Sequence, residues 1–463
     1  MKNKFFTLGF VVCCNAAVRC FAAAILLRKT SPNSHRKEAF AARKLWKFYM
    51  LKGNAVVGQS GGPTAAINAT LAGVIRGALE VDAIDTIYGA FNGVEGMLDG
   101  RICNLNELAS DEVQLSLLAN TPAAALGSCR KKLPAPDDES GAPVYEKLLD
   151  FFRKYNIRYF FYIGGNDSMD TVAKLTAWLD GKDWEMRVMG VPKTIDNDVA
   201  GTDHTPGFGS AAKYIAASMQ EILRDTAVYT VKAVTIVEIM GRDAGWLTAA
   251  AALPGRICGV SPDLVYLPER VFDFDKFYSD VSAALERKPN VVVAVSEGLR
   301  LADGSYVGES TQSGAVDVFG HRYLSGTGKT LELAVGGKLG VKHRSVELNI
   351  LQRCASHLAS KTDLDESVEV GRAAVRAAAN GESGKMMCFV RTSADPYEVD
   401  IVSGDIAEIA NRIRCVPDEF ITSDGCGITD AGIEYLLPLI QGEPELVYEN
   451  GLPKHFEIKR ADS

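Results

Sequence analysis

The sequence lacks the cysteine patterns that mark a metal centre or a disulfide framework. Its ten cysteines include no C-x-x-C spacing and no nearby pair of histidines. A zinc-ligand set and a secreted disulfide scaffold are therefore both poorly supported, and free thiols in a reducing compartment are expected. A cytoplasmic location follows from that expectation.

The chain also has too few basic residues after residue 49 to bind nucleic acid through charge alone. Its formal net charge is −8, but residues 50–463 hold 40 basic and 57 acidic residues, a net of −17. An acidic body of this kind argues against nucleic acid as a partner. An anionic substrate would have to be bound by a local cluster of cations.

Residues 1–49 form an N-terminal extension that differs from the rest of the chain. Basic residues flank an apolar run that Arg19 interrupts, and a basic tract then leads to Met50. A signal peptide, an organellar transit peptide and a misassigned start with translation from Met50 all fit this pattern. A membrane span over Phe5–Leu27 is possible in length, but Arg19 near its centre would cost about 2.5–3.5 kcal/mol. We expect no stable membrane association.

The most informative stretch runs from Tyr159 to Asp198. An aromatic and aliphatic run at 159–163 predicts a buried strand, which ends at Gly164-Gly165-Asn166-Asp167-Ser168. We predict that Ser168 caps a helix, because apolar residues follow it at spacings of three and four. A second strand over 186–191 then stops at Pro192.

The two loops that follow these strands carry complementary chemistry. A strand, a helix and a second, parallel strand release both loops at the same carboxyl edge of a sheet. The first loop offers backbone N–H groups for a phosphate, and the second, Lys193-Thr194-Ile195-Asp196-Asn197-Asp198, brings one cation and two carboxylates. We therefore expect the two loops to face one cleft.

At 463 residues the chain is long for one hydrophobic core, so two domains, or one sheet with a large lobe, are expected. Strand ends similar to those above occur elsewhere in it. Strands are predicted before a Gly61-Gly62 turn, before Met240-Gly241-Arg242 and before Ser296-Glu297-Gly298. Arg130 lies in a basic loop, and further cations stand at 342–344 and at Arg353. Alone, each of these features is also typical of an ordinary turn or a solvated surface charge.

Taken in order, these motifs resemble the 6-phosphofructokinase family and, within it, the pyrophosphate-dependent branch. The resemblance covers about residues 53–360 and rests chiefly on Pro192–Asp198 together with Met240–Arg242. It implies an α/β fold of two Rossmann-like lobes with mainly parallel sheets and a cleft between them. The donor lobe would span about 50–200 plus C-terminal returns, and the fructose 6-phosphate lobe about 201–360, within a domain of residues 50–463.

The family's activity gives each motif a role by position. The resemblance implies reversible phosphoryl transfer from pyrophosphate to the 1-hydroxyl of fructose 6-phosphate, a step of glycolysis and gluconeogenesis, with Mg²⁺ as cofactor. Asp196 would be the general base beside Thr194, and Arg242 would help at the reacting centre. The sugar phosphate would be bound by a set of residues on the second lobe: Met240, Gly241, Arg242, Glu297, Arg344 and Arg353.

The remaining roles concern the donor, the metal and the assembly. Gly61, Arg130, Gly165 and Lys193 resemble the donor phosphate site, with Lys193 also acting in catalysis. Asp198 and Asn166 match the metal site, although Asn166 stands where many relatives have aspartate, which puts direct ligation there in doubt. One phosphate-binding arginine of the family comes from a neighbouring subunit, so a homodimer or homotetramer with shared active sites is implied.

The choice of donor depends on Asp167 and Lys193, where ATP-using relatives carry glycine. A carboxylate about 4 Å from an ATP α-phosphate would cost roughly 4 kcal/mol at an effective dielectric of 20. This favours pyrophosphate. In the alternative interpretation, Asp167 is only an acid at a helix N-terminus, with Lys193 as its ion-pair partner. Two alternatives stay open. One is an ATP-dependent enzyme with the same reaction, and the other is an inactive sugar-phosphate sensor, indicated by the departures from the family pattern at Asn166 and Ile350.

Overall fold

A computed structural model describes residues 50–109, 111–308 and 326–457. The chain divides into two compact units, Met1–Lys52 and Gly53–Ser463, and every element below lies in the second. The predictions for residues 1–49, including the possible span over Phe5–Leu27, lie outside the described residues.

Short runs rich in β-branched, aliphatic and aromatic residues form the central strands, as this composition predicts. In chain order the described strands are β1 (Gly53–Gln59), β2 (Ile84–Ala90), β3 (Ile102–Asn104), β4 (Ile157–Gly164), β5 (Arg187–Pro192), β6 (Ala233–Ile239), β7 (Leu264–Tyr266), β8 (Asn290–Ser296), β9 (Lys342–Glu347), β10 (Lys385–Ala394), β11 (Tyr397–Asp405), β12 (Tyr448–Glu449) and β13 (Leu452–Pro453).

Segments with apolar residues at spacings of three and four form the α-helices between them. The described helices are α1 (Ile67–Leu79), α2 (Gly93–Asp99), α3 (Asn106–Ala109), α4 (Glu112–Ala119), α5 (Ala142–Lys154), α6 (Asn166–Leu179), α7 (Phe208–Ala227), α8 (Trp246–Ala249), α9 (Leu253–Cys258), α10 (Phe274–Arg287), α11 (Thr327–Leu339), α12 (Leu351–Cys354), α13 (Lys361–Ala379), α14 (Ile406–Ile409) and α15 (Asp430–Leu436). None of the helices in this part of the chain is both long and apolar enough to cross a membrane.

Two sheets organise the structure. The larger has the strand order β11-β10-β5-β4-β1-β2-β3, with parallel pairing throughout its centre and antiparallel pairs only at the two edges. The smaller has the order β7-β8-β6-β9 and is parallel throughout. The predicted α/β class with mainly parallel sheets is confirmed.

The C-terminal part of the chain completes the larger sheet. β10 pairs with β5 in parallel, and α13 packs closely against α1. A Cβ atom added at Gly73 of α1 would lie 2.0 Å from the backbone oxygen of Val368, and one added at Gly371 of α13 would lie 2.4 Å from that of Thr70. Glycine is therefore required at both points of this helix crossing.

The start of α6 differs from the prediction. Ser168 does not cap the helix, because α6 begins at Asn166 with Gly165 in the capping position. The Ser168 side chain is instead buried against Gly164, where an added Cβ atom would lie 1.9 Å from its hydroxyl oxygen. The first turn of α6 thus begins immediately after Gly164-Gly165, so the N–H groups of this turn lie at the carboxyl edge of β4.

Candidate functional site

The carboxyl ends of β1, β4 and β5 form one side of the candidate site. Gly61, with φ 77°, approaches the end of the Lys193 side chain so closely that an added Cβ atom would lie 3.3 Å from its Nζ. Lys193 donates from Nζ to the Gly62 oxygen at 2.7 Å, and its backbone N–H donates to the Gly164 oxygen at 2.9 Å. Lys193 therefore joins the two glycine loops.

Cations surround the Gly61-Gly62 turn. Lys193 is 2% exposed, and its pKa is lowered to about 8, chiefly by burial and also by Arg353 and Arg130, while Asp196 acts in the opposite direction. Arg353, in α12, brings Nη1 to 3.4 Å from the position that a Cβ atom on Gly62 would occupy. Three positive side chains thus converge on this turn, as a site for a compact anion requires.

Asp196 occupies the centre of the site. Its backbone N–H donates to Thr194 Oγ1 at 3.1 Å, and that hydroxyl lies 3.4 Å from Asp196 Oδ2. Burial raises the pKa of this carboxyl, while Arg242 and Lys193 act in the opposite direction. A carboxylate whose pKa is moved towards neutrality, with a cation on each side, is suited to accept a proton.

Asn166 and Asp198 form a second pair of oxygen-bearing side chains. Asn166 Nδ2 donates to Asp198 Oδ2 at 3.2 Å, so the two loops predicted to face each other do so. Burial, and then the charge of Asp196, raises the pKa of Asp198 to about 7. Asn166 Oδ1 is buried and has no hydrogen-bond partner in the described chain.

These oxygens fit a hard divalent cation that is shared with a ligand. The part of the chain that the structure describes contains no group of three or more His, Cys, Asp and Glu side chains able to hold a metal. Mg²⁺ is usually bound through one or two carboxylates plus substrate phosphates, so a complete protein cage is not required. An unpartnered amide oxygen beside a carboxylate matches that donor set.

The carboxyl ends of β6 and β8 form the opposite side of the site. Gly241, with φ 129°, donates its N–H to Glu297 Oε1 at 3.3 Å, and the Met240 N–H donates to Gln352 Oε1 at 3.2 Å. Burial raises the pKa of Glu297 to about 8, and the charges of Asp196 and Glu238 act in the same direction. Arg242 lowers the pKa of both Asp196 and Glu297, and its Nε is buried without a partner among the described residues.

Arg344 is the one predicted site residue that the described chain does not join to this cluster. It lies on β9, an edge strand of the smaller sheet, opposite Thr235 of β6, and it is exposed. Within the described residues its side chain makes no hydrogen bond or ion pair. Ile350, which departs from the family pattern, is 54% exposed.

The ion-pair partner of Asp167 is not the one expected. The alternative interpretation paired it with Lys193, but Asp167 Oδ1 lies 3.1 Å from Lys132 Nζ, while Lys193 points into the glycine loops. That pairing is therefore wrong. Lys132 belongs to the basic run Arg130-Lys131-Lys132. Because Arg130 of this run was already assigned to the donor site, the partner of Asp167 could have been sought among its neighbours.

Two contacts were not visible in the sequence. The Gln352 side chain holds the Met240 N–H across 112 residues, and Arg300 pairs with Asp243, next to Arg242, at 2.5 Å. Gln352 belongs with Arg353 to one of the motifs that resemble the family, but neither it nor Arg300 shows in the sequence which group it contacts.

The fold and this site define an α/β enzyme with a binding site for phosphorylated ligands. The phosphofructokinase family model matches residues 54–377, and the chain belongs to the phosphofructokinase family. Pyrophosphate–fructose 6-phosphate 1-phosphotransferases of Halomonas elongata and Xanthomonas campestris are 43% and 41% identical over 414 and 413 residues, in each case 89% of this chain and 97% of the relative.

A solved structure agrees with these relatives. The pyrophosphate-dependent phosphofructokinase of Nitrosospira multiformis superposes with a TM-score of 0.79 at 37% identity, covering 89% of this chain and 97% of the other. The resemblance to the pyrophosphate-dependent branch is confirmed, and with it the phosphofructokinase fold.

Proposed function

We propose that this protein transfers a phosphoryl group from pyrophosphate to the 1-hydroxyl of fructose 6-phosphate, giving fructose 1,6-bisphosphate and phosphate. The observation that carries the proposal is the half-buried Asp196 carboxylate, which Lys193 influences from the glycine-loop side and Arg242 from the opposite side. A phosphoryl acceptor needs a base at the point where the two ligand sites meet. The named relatives act on these same two substrates.

Asp196 is the proposed general base. A primary alcohol is a poor nucleophile until a carboxylate within hydrogen-bond reach accepts its proton. Thr194 Oγ1, at 3.4 Å from Asp196 Oδ2, would hold the carboxylate in one orientation. Because burial raises the pKa of Asp196, the group would bind the transferred proton more readily than an exposed aspartate.

The donor would lie against the glycine loops. The Gly165 N–H would bind its oxygens, and Arg130 and Lys193 would balance its charge. The Gly61 N–H donates to the Cys129 oxygen at 3.1 Å, so Gly61, with φ 77°, would contribute a close approach of the backbone to the donor. The Lys193 ammonium is already within reach of the Gly61-Gly62 turn. Lys193 would stabilise negative charge that develops as the bond to the leaving phosphate breaks. Arg353, beside Gly62, is in position to contact the donor as well as the sugar phosphate proposed for it.

Asn166 and Asp198 are the proposed protein ligands of Mg²⁺. When bound, the ion would neutralise charge on the phosphoryl oxygens. Asn166 would offer its unpartnered Oδ1, while its Nδ2 orients Asp198. The amide supplies no charge, so Asp198 would carry the electrostatic part of the binding.

The sugar phosphate would bind on the β6 and β8 side. Glu297, held by the Gly241 N–H, would accept from sugar hydroxyls beside Met240, and Arg242 would pair with phosphate oxygens. Arg344 is exposed on an edge strand, and this supports the proposal that it completes the site of a neighbouring subunit. The assembly would then be a homodimer or homotetramer with shared active sites.

Asp167 supports pyrophosphate over ATP as the donor. It lies in the first turn of α6, next to Asn166, where a nucleotide would extend beyond the phosphates. Lys132 partly neutralises its charge and its side chain is 35% exposed, so it disfavours ATP less than an isolated buried carboxylate would.

The seven cysteines of the described chain are free thiols, which supports the proposed cytoplasmic location.

A donor assay tests the proposal. Purified protein, fructose 6-phosphate and Mg²⁺ are mixed with either pyrophosphate or ATP, and fructose 1,6-bisphosphate is measured. We expect turnover with pyrophosphate and far less with ATP. Faster turnover with ATP would contradict the proposed donor. Binding of fructose 6-phosphate without turnover of either donor would identify a sensor instead.

A further inference from the structure

A short C-terminal segment lies along the loop that carries the two central carboxylates. This segment, residues 413–416, is called the strap here. Ile413 forms an antiparallel bridge with Val199, and the Arg414 N–H donates to the Asp198 oxygen at 2.8 Å. The strap lies beyond residue 377, where the family match ends, so the family motifs assign it no role.

The Arg414 side chain is held in one orientation. Its guanidinium carbon lies 4.2 Å from the centre of the Trp246 ring, and the Trp246 indole donates back to the Arg414 oxygen at 3.0 Å. Stacking on an aromatic face and several directed donors are properties that distinguish arginine from lysine.

The donors of Arg414 reach the catalytic loop. Nη1 donates to the Asn197 oxygen at 3.4 Å, and Nη2 donates to the Tyr435 hydroxyl at 3.3 Å. That hydroxyl accepts from Asn197 Nδ2 at 3.0 Å and donates to the Asp203 oxygen at 2.6 Å. Arg414 thus holds the backbone oxygen of Asn197 directly, and it holds the Asn197 side chain through the Tyr435 hydroxyl.

The conformation of Asn197 makes these contacts important for the carboxylates beside it. Asn197 has φ 53°, a left-handed conformation that is uncommon outside glycine, and it stands between Asp196 and Asp198. Arg414 bonds the backbone oxygens of both Asn197 and Asp198. A peptide rotation at Asn197 would turn the two carboxylates away from Thr194 and Asn166, which they now contact.

We propose that Arg414 is a positioning residue for phosphoryl transfer, whose guanidinium fixes the Asn197 peptide, both directly and through Tyr435, and thereby aims the flanking carboxylates of Asp196 and Asp198. The proposal rests on the proposed function, since it assigns Arg414 to the same reaction. Arg414 acts through the loop and does not itself contact a substrate.

Three variants test the role. Arg414→Met keeps a flexible side chain against Trp246 but removes every side-chain donor, while the backbone N–H bond to the Asp198 oxygen is retained. Arg414→Lys keeps the charge with a single donor group. Arg412→Met is the matched control, because Arg412 is an exposed arginine two residues away whose side chain has no partner in the described chain. For each protein, kcat and the KM for both substrates are measured with pyrophosphate. Calorimetric titration with fructose 6-phosphate counts the intact sites.

We expect kcat per intact site to fall by about 10- to 100-fold in Arg414→Met, because a displacement of about 1 Å in a catalytic group can cost that much. Both KM values should stay within about threefold of the parent, since Arg414 contacts neither substrate. Arg414→Lys should recover little, because one ammonium group cannot span the Asn197 oxygen and the Tyr435 hydroxyl while stacked on Trp246. Arg412→Met should match the parent.

An unchanged kcat per intact site in Arg414→Lys would overturn the proposal, even if Arg414→Met failed to fold. So would equal losses in kcat and in the number of binding sites, because these would mark a purely structural role. If the parent used only ATP, the proposed donor would be wrong, and the same ratios measured with ATP would still decide the role of Arg414.

Discussion

A buried histidine gives the protein a pH-dependent stability that can be measured directly. His204 is 2% exposed, and its ring nitrogens lie 2.9 Å from Asp203 Oδ1 and 2.7 Å from Glu366 Oε2. Burial opposes a charge on the ring, but the two carboxylates outweigh that effect and raise the pKa of His204 from 6.5 to about 9. The folded protein therefore binds this proton more tightly than the unfolded chain does.

The direction and size of the effect follow from that difference. The contribution to stability is fully present below pH 6.5 and is lost as the pH rises through about 9. With 1.36 kcal/mol per pKa unit, it amounts to about 3 kcal/mol at low pH, about 2.5 kcal/mol at pH 7 and almost nothing at pH 10. Arg391 also pairs with Asp203, and Tyr397 donates to Glu366, so the carboxylates keep other partners when His204 is neutral.

His204→Gln removes the charge and keeps a donor group. We expect the variant to be less stable than the parent by about 2–3 kcal/mol at pH 7, and this difference to shrink by about 2.5 kcal/mol at pH 10. Urea unfolding, followed by tryptophan fluorescence and far-ultraviolet circular dichroism at both pH values, measures it. The control is His357→Gln, at an exposed histidine. A difference between parent and His204→Gln that is the same at both pH values would refute the reasoning.

Three further predictions concern the site. Asp196→Asn should lower kcat by about 10²- to 10⁴-fold while calorimetry shows nearly unchanged fructose 6-phosphate binding; retained turnover would exclude Asp196 as the base. Asp167→Gly should raise kcat/KM for ATP by about tenfold, less than an isolated buried charge would give because Lys132 screens it, whereas Lys132→Met should lower ATP use further. Asp198→Asn should raise the half-saturating Mg²⁺ concentration in the turnover assay by about tenfold or more, and an unchanged value would remove Asp198 from the metal site.

Much of the fold was predictable because each strand and helix carries its own periodicity. The strand predicted before Ser296-Glu297-Gly298 is observed at Asn290–Ser296, and the strand predicted at 159–163 is observed at Ile157–Gly164. The facing loops were predictable as well, since parallel strands release their loops at one edge of the sheet. The contact between Asn166 and Asp198 is a direct consequence of that rule.

Contacts between distant segments were not predictable in the same way. Periodicity shows which face of an element is buried, but it does not identify the element that covers it. The resemblance implied that C-terminal segments return to the donor lobe, but the sequence did not show that β10 would pair with β5, or that Arg414 would reach a loop 217 residues earlier. Lys132 was taken with a solvated basic run, yet its position opposite Asp167 depends on how two loops fold.

Half-buried charged side chains of the C-terminal region contact the catalytic loop and the segment after it. Arg391 on β10 and Glu366 on α13 close around Asp203 and His204, and Arg414 closes on Asn197. Removing one partner of such an ion pair is destabilising, as predicted for His204, but replacing a whole pair with apolar residues of similar volume would avoid the cost of desolvation. An apolar side chain in place of Arg414 would fill the space beside Trp246, but it could not bind the backbone oxygen of a left-handed residue. The directed contact therefore accounts for an arginine at this position better than stability does, since orientation of Asn197 is the property that only a donor can supply.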